Sequence, residues 1–360
     1  MRITQVFIAS LCWLAQEPTL APPPLKPPPI AKGEVIGLVA PASPLAQKQI
    51  QAAAEQIRRR GFRVKIADEG SRQRGYLSGV DEARAEAFNS LIRDPEVRAI
   101  FCLRGGYGSP RILDKIDYAA LRQSPKAIVG YSDITAILLS VQARAGVVTF
   151  HGPMGKEWST ARGITPFSEK YFWDLLMGSE SKLFLNWGGE RANGMKTPVT
   201  IVKGQAEGRL TGGNLSVVCS TLGTPFEIET QGRILFLEEV GEKVFRIDRL
   251  LNQLRLAGKL REIRGVLLGM FPGCEGHDPE GDLTLGEVFN DYLEPLGVPV
   301  LADFPSGHVP DQVMLPFGVL VRLDATTRTL SILEPAVAPM ASKLKPGDGT
   351  IPPPLEEQRQ

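Results

Sequence analysis

Between residues 35 and 150 the chain alternates short apolar runs with amphipathic stretches, a pattern few folds can accommodate. Val35-Ile-Gly-Leu-Val-Ala40 reads as a buried strand. Residues 46–60 follow as a helix with Ile50, Ala53, Ala54 and Ile57 on one face, closed by Gly61. A second strand is expected over 64–67, a second helix with an acidic start over 81–93, and further strands over 99–103, 127–129 and 147–150. Such alternation predicts a parallel sheet with helices on its faces, and ligands of these sheets bind beyond the carboxyl ends of the strands. Two loops fall there, Arg104-Gly-Gly-Tyr-Gly-Ser109 and Gly130-Tyr-Ser-Asp133.

The second loop joins a buried strand to a helix on which Ile134, Ile137 and Leu138 recur at helical spacing. Ser132 then stands at the tip of a sharp turn. Its hydroxyl is free of the backbone, and the amides behind it point forward from a helix start, where they can stabilise an oxyanion. The competing reading is a helix cap made by Ser132 or Asp133, and the G-x-S-x-G elbow pattern is not met. The glycine loop lacks the G-K-[ST] ending of a phosphate cradle and the G-x-G-x-x-G spacing of a dinucleotide site. Its position suits a different use, with Gly106 supplying one oxyanion donor and the Asp133 amide the other.

Composition narrows the function classes. With 360 residues, 43% hydrophobic and 22% charged, the chain can bury a large core and has the length of two domains. A net charge of +1 gives no footprint for nucleic acid. Cys12, Cys102, Cys219 and Cys274 lack C-x-x-C spacing, so neither a zinc site nor a disulfide framework is indicated. The apolar run over 6–15 is too short for a stable membrane span and has the shape of a weak signal peptide. A proline-rich tract follows it, so residues 1–32 read as an extended leader, and 336–360 read as a disordered tail.

The expected organisation is an N-terminal parallel-sheet domain over 33–154, flavodoxin-like in type, a linking region over 155–203 and a mixed α/β domain over 204–335. Trp158, Trp173 and Trp187 fall in the linking region and read as packing residues. In the second domain Ile234-Leu-Phe-Leu237 is a strand ending in Glu238-Glu239, and 244–256 a helix with Ile247, Leu250, Leu251 and Leu254 inward.

A serine nucleophile needs a base, most often a histidine oriented by a carboxylate. The chain has three histidines. His277 lies in a polar acidic loop and reads as solvated. His151 follows the fifth strand, and His308 lies in the rigid Phe304-Pro-Ser-Gly-His-Val-Pro310 loop, so both remain candidates. Glu238 and Glu239 point to opposite faces of one strand end, and only one of them can face the cleft.

Taken in order, Arg104-Gly-Gly-Tyr-Gly108, Gly130-Tyr-Ser-Asp133, Thr211-Gly-Gly-Asn-Leu215, Leu237-Glu-Glu-Val240 with Arg246-Ile-Asp-Arg249, and Gly307-His308 resemble the LD-carboxypeptidase (muramoyltetrapeptide carboxypeptidase) family. The resemblance covers about residues 33–335. It implies a Ser-Glu-His triad matching Ser132, Glu238 and His308, with the active site at the domain interface and neither metal nor cofactor. Glu239 stands where the family commonly has Asp. The implied reaction hydrolyses the L,D bond between the diamino acid and the terminal D-alanine of a peptidoglycan tetrapeptide, as cell-wall recycling requires. The implied partner is thus a small muropeptide. A homodimer and a cytoplasmic setting are the family expectation, with the periplasm as alternative if the N-terminal run is a signal peptide.

Exopeptidase action calls for a group that pairs the substrate's terminal carboxylate. Arg104 and Asn214 are the candidates, Arg104 being open also to a structural ion pair. Two other function classes stand beside the main one. A related amide hydrolase, like the microcin C immunity protein of the same family, would cleave a peptidyl-nucleotide. A non-catalytic peptidoglycan-binding protein would not need the three triad residues that are present.

Overall fold

The computed structural model describes residues 23–67, 73–178, 184–185 (backbone alone), 197–275, 281 and 283–339. The first half runs β1 (Val35–Val39), α1 (Gln47–Arg59), β2 (Arg63–Ile66), α2 (Asp81–Arg93), β3 (Val97–Cys102), α3 (Tyr118–Gln123), β4 (Ala127–Gly130), α4 (Thr135–Ala145), β5 (Thr149–His151), α5 (Gly155–Trp158) and α6 (Pro166–Met177). The second runs β6 (Phe184–Leu185), β7 (Val199–Val202), β8 (Gln205–Asn214), α7 (Leu215–Ser220), β9 (Arg233–Glu238), α8 (Val244–Leu256), β10 (Gly265–Leu268), α9 (Leu285–Leu293), β11 (Val300–Ala302), β12 (Leu315–Phe317), β13 (Leu320–Asp324) and β14 (Thr329–Ile332).

Strands β2, β1, β3, β4 and β5 form the expected parallel sheet, in the order 2-1-3-4-5. Every residue of β1 and β4 is buried, as strands covered on both faces must be. The second sheet has a parallel centre, β8-β9-β10-β11, flanked by the antiparallel strands β13, β14 and β6 on one side and β7 on the other. This is the mixed α/β architecture expected for the second domain. The described helices include none long and apolar enough to cross a membrane.

Three features were not visible in the sequence pattern. β12 leaves the second domain to pair antiparallel with β5, placing Leu315 opposite His151. Pro316 is tolerated there because β12 is the sheet's edge strand. The stretch 155–203 divides between the domains: Trp158 and Phe172 are fully buried in the first domain's core, whereas β7 pairs with β11.

Residues 23–32 do not behave as a free leader. Leu25 bridges Val147, Ile30 is buried, and the Pro27 carbonyl accepts a hydrogen bond from the Ala338 amide. Ala336 and Val337 are buried too, although they fall in the stretch expected as tail. Proline-rich composition signals an extended backbone, and an extended backbone with Leu25 and Ile30 in it can still dock on an apolar surface. The rest of the leader with Cys12, the tail beyond residue 339, Trp187 and His277 lie outside the described residues.

The two domains share one core. Leu210, Ile234, Phe236, Leu267 and Leu301 of the second sheet belong to the same buried cluster as β3, β4 and α4, while α7, α8 and α9 cover the second sheet's other face. At the seam β8 runs against the first turn of α4. Gly213 adopts φ +138°, and a Cβ there would lie 2.4 Å from Thr135 Cγ2. The next amide, that of Asn214, donates to Thr135 Oγ1 at 3.1 Å. Gly213→Ala combines a forbidden dihedral with overpacking at this seam. It should cost about 2–4 kcal/mol in denaturant unfolding, and a variant as stable as wild type would show the close approach to be dispensable.

Candidate active site

Ser132 sits in a strained turn. The buried strand β4 ends at Gly130, Tyr131 is extended, and Ser132 adopts φ +60°, a left-handed conformation costly for a residue with a Cβ. A single 3₁₀ turn, Ser132–Ile134, then leads into α4. The helix-cap alternative does not describe these side chains: α4 has no side-chain cap, and the Ser132 hydroxyl makes no hydrogen bond to another described residue. The Asp133 carboxylate turns away and accepts the Ser109 amide at 2.8 Å. Burial pushes that carboxyl above its ordinary range, with the Ser109 hydrogen bonds opposing the shift.

The glycine loop lies directly on the serine. A Cβ at Gly105 would stand 3.0 Å from Ser132 Cβ and 3.1 Å from both Ser132 Oγ and the Asp133 nitrogen, so a side chain there would press on the serine and make its turn give way. Gly106 packs on Ser43, and its amide donates to no described residue. Sequence reading singled out Gly106 and Asp133; Gly105, whose missing side chain makes the approach feasible, was not distinguished from its neighbour.

The second domain contributes a carboxylate and an imidazole. Glu238 ends β9 opposite Asn214 of β8, is fully buried, and holds His308 Nδ1 at 2.6 Å through Oε2. Gly307 makes this possible, since a Cβ there would lie 2.7 Å from Glu238 Oε2. Burial disfavours charge on His308, but the hydrogen bond and the charge of Glu238 outweigh it and hold the imidazole above its ordinary value. On Glu238 itself burial dominates and raises the carboxyl, with His308 opposing it. The His308 side chain remains 18% exposed and so can be reached from the cleft. Its ring packs edge-on against Tyr131, centroids 4.9 Å apart, which places it beside the residue preceding Ser132.

Glu239 points the other way. It accepts the Asn214 side-chain amide at 2.7 Å, the Ser216 amide at 2.8 Å and hydroxyl at 2.6 Å, and its neighbour's amide from Val240. The Asn214 side chain also caps α7 through Val217, so both ends of its amide are engaged within the fold. Arg104 is exposed, and its guanidinium reaches the Pro44 carbonyl at 3.3 Å without an ion pair to any described acid.

His151 is a core residue. It is fully buried among Tyr131, Phe236 and Phe317, neither ring nitrogen has a partner among the described residues, and desolvation drives its pKa down to about 3. A strut absent from the sequence reading completes the surroundings: Tyr131 donates its hydroxyl to Glu157 at 2.9 Å, and Glu157 accepts the Met154 amide. Nothing in the spacing of Glu157 marks it, because its partner is set by tertiary packing. The described residues contain no group of three or more His, Cys, Asp or Glu that could hold a metal ion.

Two family models match the chain, the LD-carboxypeptidase N-terminal domain over residues 36–152 and the LD-carboxypeptidase C-terminal domain over 207–323. The probable murein peptide carboxypeptidase of Bacillus subtilis is 37% identical across 88% of this chain and 97% of its own. The muramoyltetrapeptide carboxypeptidase from Oxalobacter formigenes superposes with a TM-score of 0.73 at 27% identity, over 83% of this chain and 98% of its own. The microcin C7 self-immunity protein MccF of Escherichia coli is 28% identical over 86% of this chain and 96% of its own. Its complex with aspartyl sulfamoyl adenosine superposes with a TM-score of 0.79 across 88% of this chain and all of that one. Matched in both domains and in the order of its motifs, the chain belongs to the LD-carboxypeptidase family.

Proposed function

We propose that this protein is a serine LD-carboxypeptidase that removes the terminal D-alanine from peptidoglycan tetrapeptides, leaving tripeptides for cell-wall recycling. The observation that carries the reading is the Glu238–His308 pair of one domain set against Tyr131 and the strained Ser132 of the other. An ionised carboxylate can only accept, so His308 donates from Nδ1 and keeps a lone pair on Nε2. That nitrogen takes the Ser132 proton as the hydroxyl attacks the carbonyl next to D-alanine, and later returns it to the leaving amine. Glu238 holds the tautomer and stabilises the imidazolium. The Gly106 and Asp133 amides receive the oxyanion, and Arg104, free of acidic partners among the described residues, pairs the terminal carboxylate.

A second reading draws on the likeness to MccF, whose structure holds aspartyl sulfamoyl adenosine. The same triad would then hydrolyse the amide of a peptidyl-nucleotide. Incubation with a purified muropeptide tetrapeptide and, separately, with an aminoacyl sulfamoyl adenosine separates the two. Loss of one alanine by mass is expected from the first alone; turnover of the second alone would reassign the substrate.

Exopeptidase action has its own consequence. A tetrapeptide amidated at its D-alanine carboxylate, or extended by a second D-alanine, should be cleaved far more slowly than the free tetrapeptide, because neither presents a carboxylate where Arg104 would pair it. Equal kcat/KM on all three peptides would refute carboxyl-end recognition. For the triad, Ser132→Ala and His308→Ala should each lower kcat by roughly 10⁴-fold or more, the double variant being little worse than either. A folded His308→Ala enzyme with near-native kcat would overturn the assignment.

The pH profile follows from the histidine. His308 must be neutral to act as base, and its raised pKa moves the acid limb of kcat/KM to a midpoint above the ordinary histidine value of about 6.5. Glu238→Gln removes what raises it. Residual activity should then show an acid limb displaced to lower pH; an unmoved limb would show that Glu238 does not govern His308.

A further inference from the structure

The glycine loop that lies on Ser132 is held by a side chain with no contact to the nucleophile. Arg84, in the first turns of α2, is fully buried. Its Nη1 donates to the Pro41 carbonyl, in the loop after β1, and to the Gly108 carbonyl at 2.9 Å; its Nη2 meets Asp81 Oδ1 at 2.5 Å. Asp81 is steadied on its far side by the exposed Arg111, through hydrogen bonds of 2.8–3.0 Å. The same two loops are zipped together by the Ser43 amide on the Gly105 carbonyl at 3.1 Å and by the Tyr107 amide on the Ser43 hydroxyl at 3.2 Å. Beyond Gly108, the Ser109 amide binds Asp133, the residue after the nucleophile. Gly106 therefore sits in a span whose far end is fixed at Gly108 by Arg84 and at Ser109 by Asp133, and whose near end is fixed at Gly105 by Ser43.

A charge in this position needs a reason. Burying a guanidinium is expensive, and an apolar side chain of similar volume would pack α2 against β1 at lower cost. What an apolar residue lacks is a planar fork that holds two carbonyls and a carboxylate at fixed angles. We propose that Arg84 is a positioning residue of the reaction: it grips the Pro41 and Gly108 carbonyls and so sets the distance from the Gly106 amide to the oxyanion formed on Ser132. This rests on Ser132 being an acylated nucleophile with Gly106 as oxyanion donor. It adds the residue that aligns that donor.

The molecule provides its own comparison. Lys126 is also buried, and its ammonium also holds main-chain carbonyls, those of Asp94 at 2.8 Å and Val97 at 2.6 Å. These lie at the opposite end of β3 from the glycine loop. Arg84→Met, Arg84→Lys and Lys126→Met are to be compared with wild type for thermal unfolding, for the rate at which a fluorophosphonate lacking any peptide modifies Ser132 with loss of fluoride, and for kcat and KM on the tetrapeptide. Both methionine variants should unfold at lower temperature. Arg84→Met alone should slow phosphonylation and kcat, roughly 10- to 100-fold, with KM little changed, and Arg84→Lys should recover part of the loss.

Folded Arg84→Met that reacts with the fluorophosphonate at the wild-type rate would overturn the proposal, as would Lys126→Met that slows it equally. If Arg84→Met does not fold, Arg84→Lys against Lys126→Met decides by the same criterion. A wild-type protein modified by the fluorophosphonate but inert on the tetrapeptide would refute the substrate reading and leave the Arg84 comparison intact. One inert to both would refute the nucleophile, and this inference with it.

Discussion

The seam between β8 and α4 is the contact on which the site depends. Asn214 donates its backbone amide to Thr135, three residues beyond Ser132, and stands opposite Glu238 in the sheet. One short stretch thus fixes where Glu238 of the second domain lies relative to Ser132 of the first. Gly213 is what allows the two backbones to close, and the continuous apolar core beneath them keeps the domains from rocking apart. Since a 1 Å misplacement between reacting groups can cost two orders of magnitude in rate, the proposed mechanism calls for a rigid seam as much as the fold does.

Neighbouring carboxylates carry different burdens within this arrangement. Glu238 and Glu239 are adjacent in sequence and both buried, yet one is spent on an imidazole and the other on the first turn of α7 and the Asn214 amide. The strand's two-residue alternation sends them to opposite sides. Glu239 accordingly locks the turn that follows β8, the same turn that presents Asn214 to the seam. The two acids act on one geometry from opposite faces of the sheet.

Much of this was legible in the chain. The strand and helix alternation gave the first sheet because parallel strands are apolar throughout and their helices carry a 3.6-residue period. The turn after β4 was legible because a glycine, a short polar run and an amphipathic helix follow one another. Residue reasoning put His308 only slightly above His151 and left Glu238 level with Glu239; the resemblance to a family chose among them. The fold engages the other two elsewhere, His151 buried among aromatic rings and Glu239 hydrogen-bonded to Asn214 and Ser216 at the start of α7. Asn214, expected near a substrate carboxylate, has its amide engaged by Glu239 and Val217, since a polar residue after two glycines serves equally well as a helix cap. The docking of residues 23–32 and the migration of β12 stayed hidden because both depend on pairings across more than a hundred residues.

That migration bears on how the protein comes into being. Until residues 315–317 have emerged from the ribosome, β5 presents an open edge beside His151. A growing chain, or one truncated before residue 315, therefore carries an unpaired sheet edge of the kind through which separate chains join. The first sheet is closed only by a strand drawn from near the far end of the described chain, so its edge is sealed last.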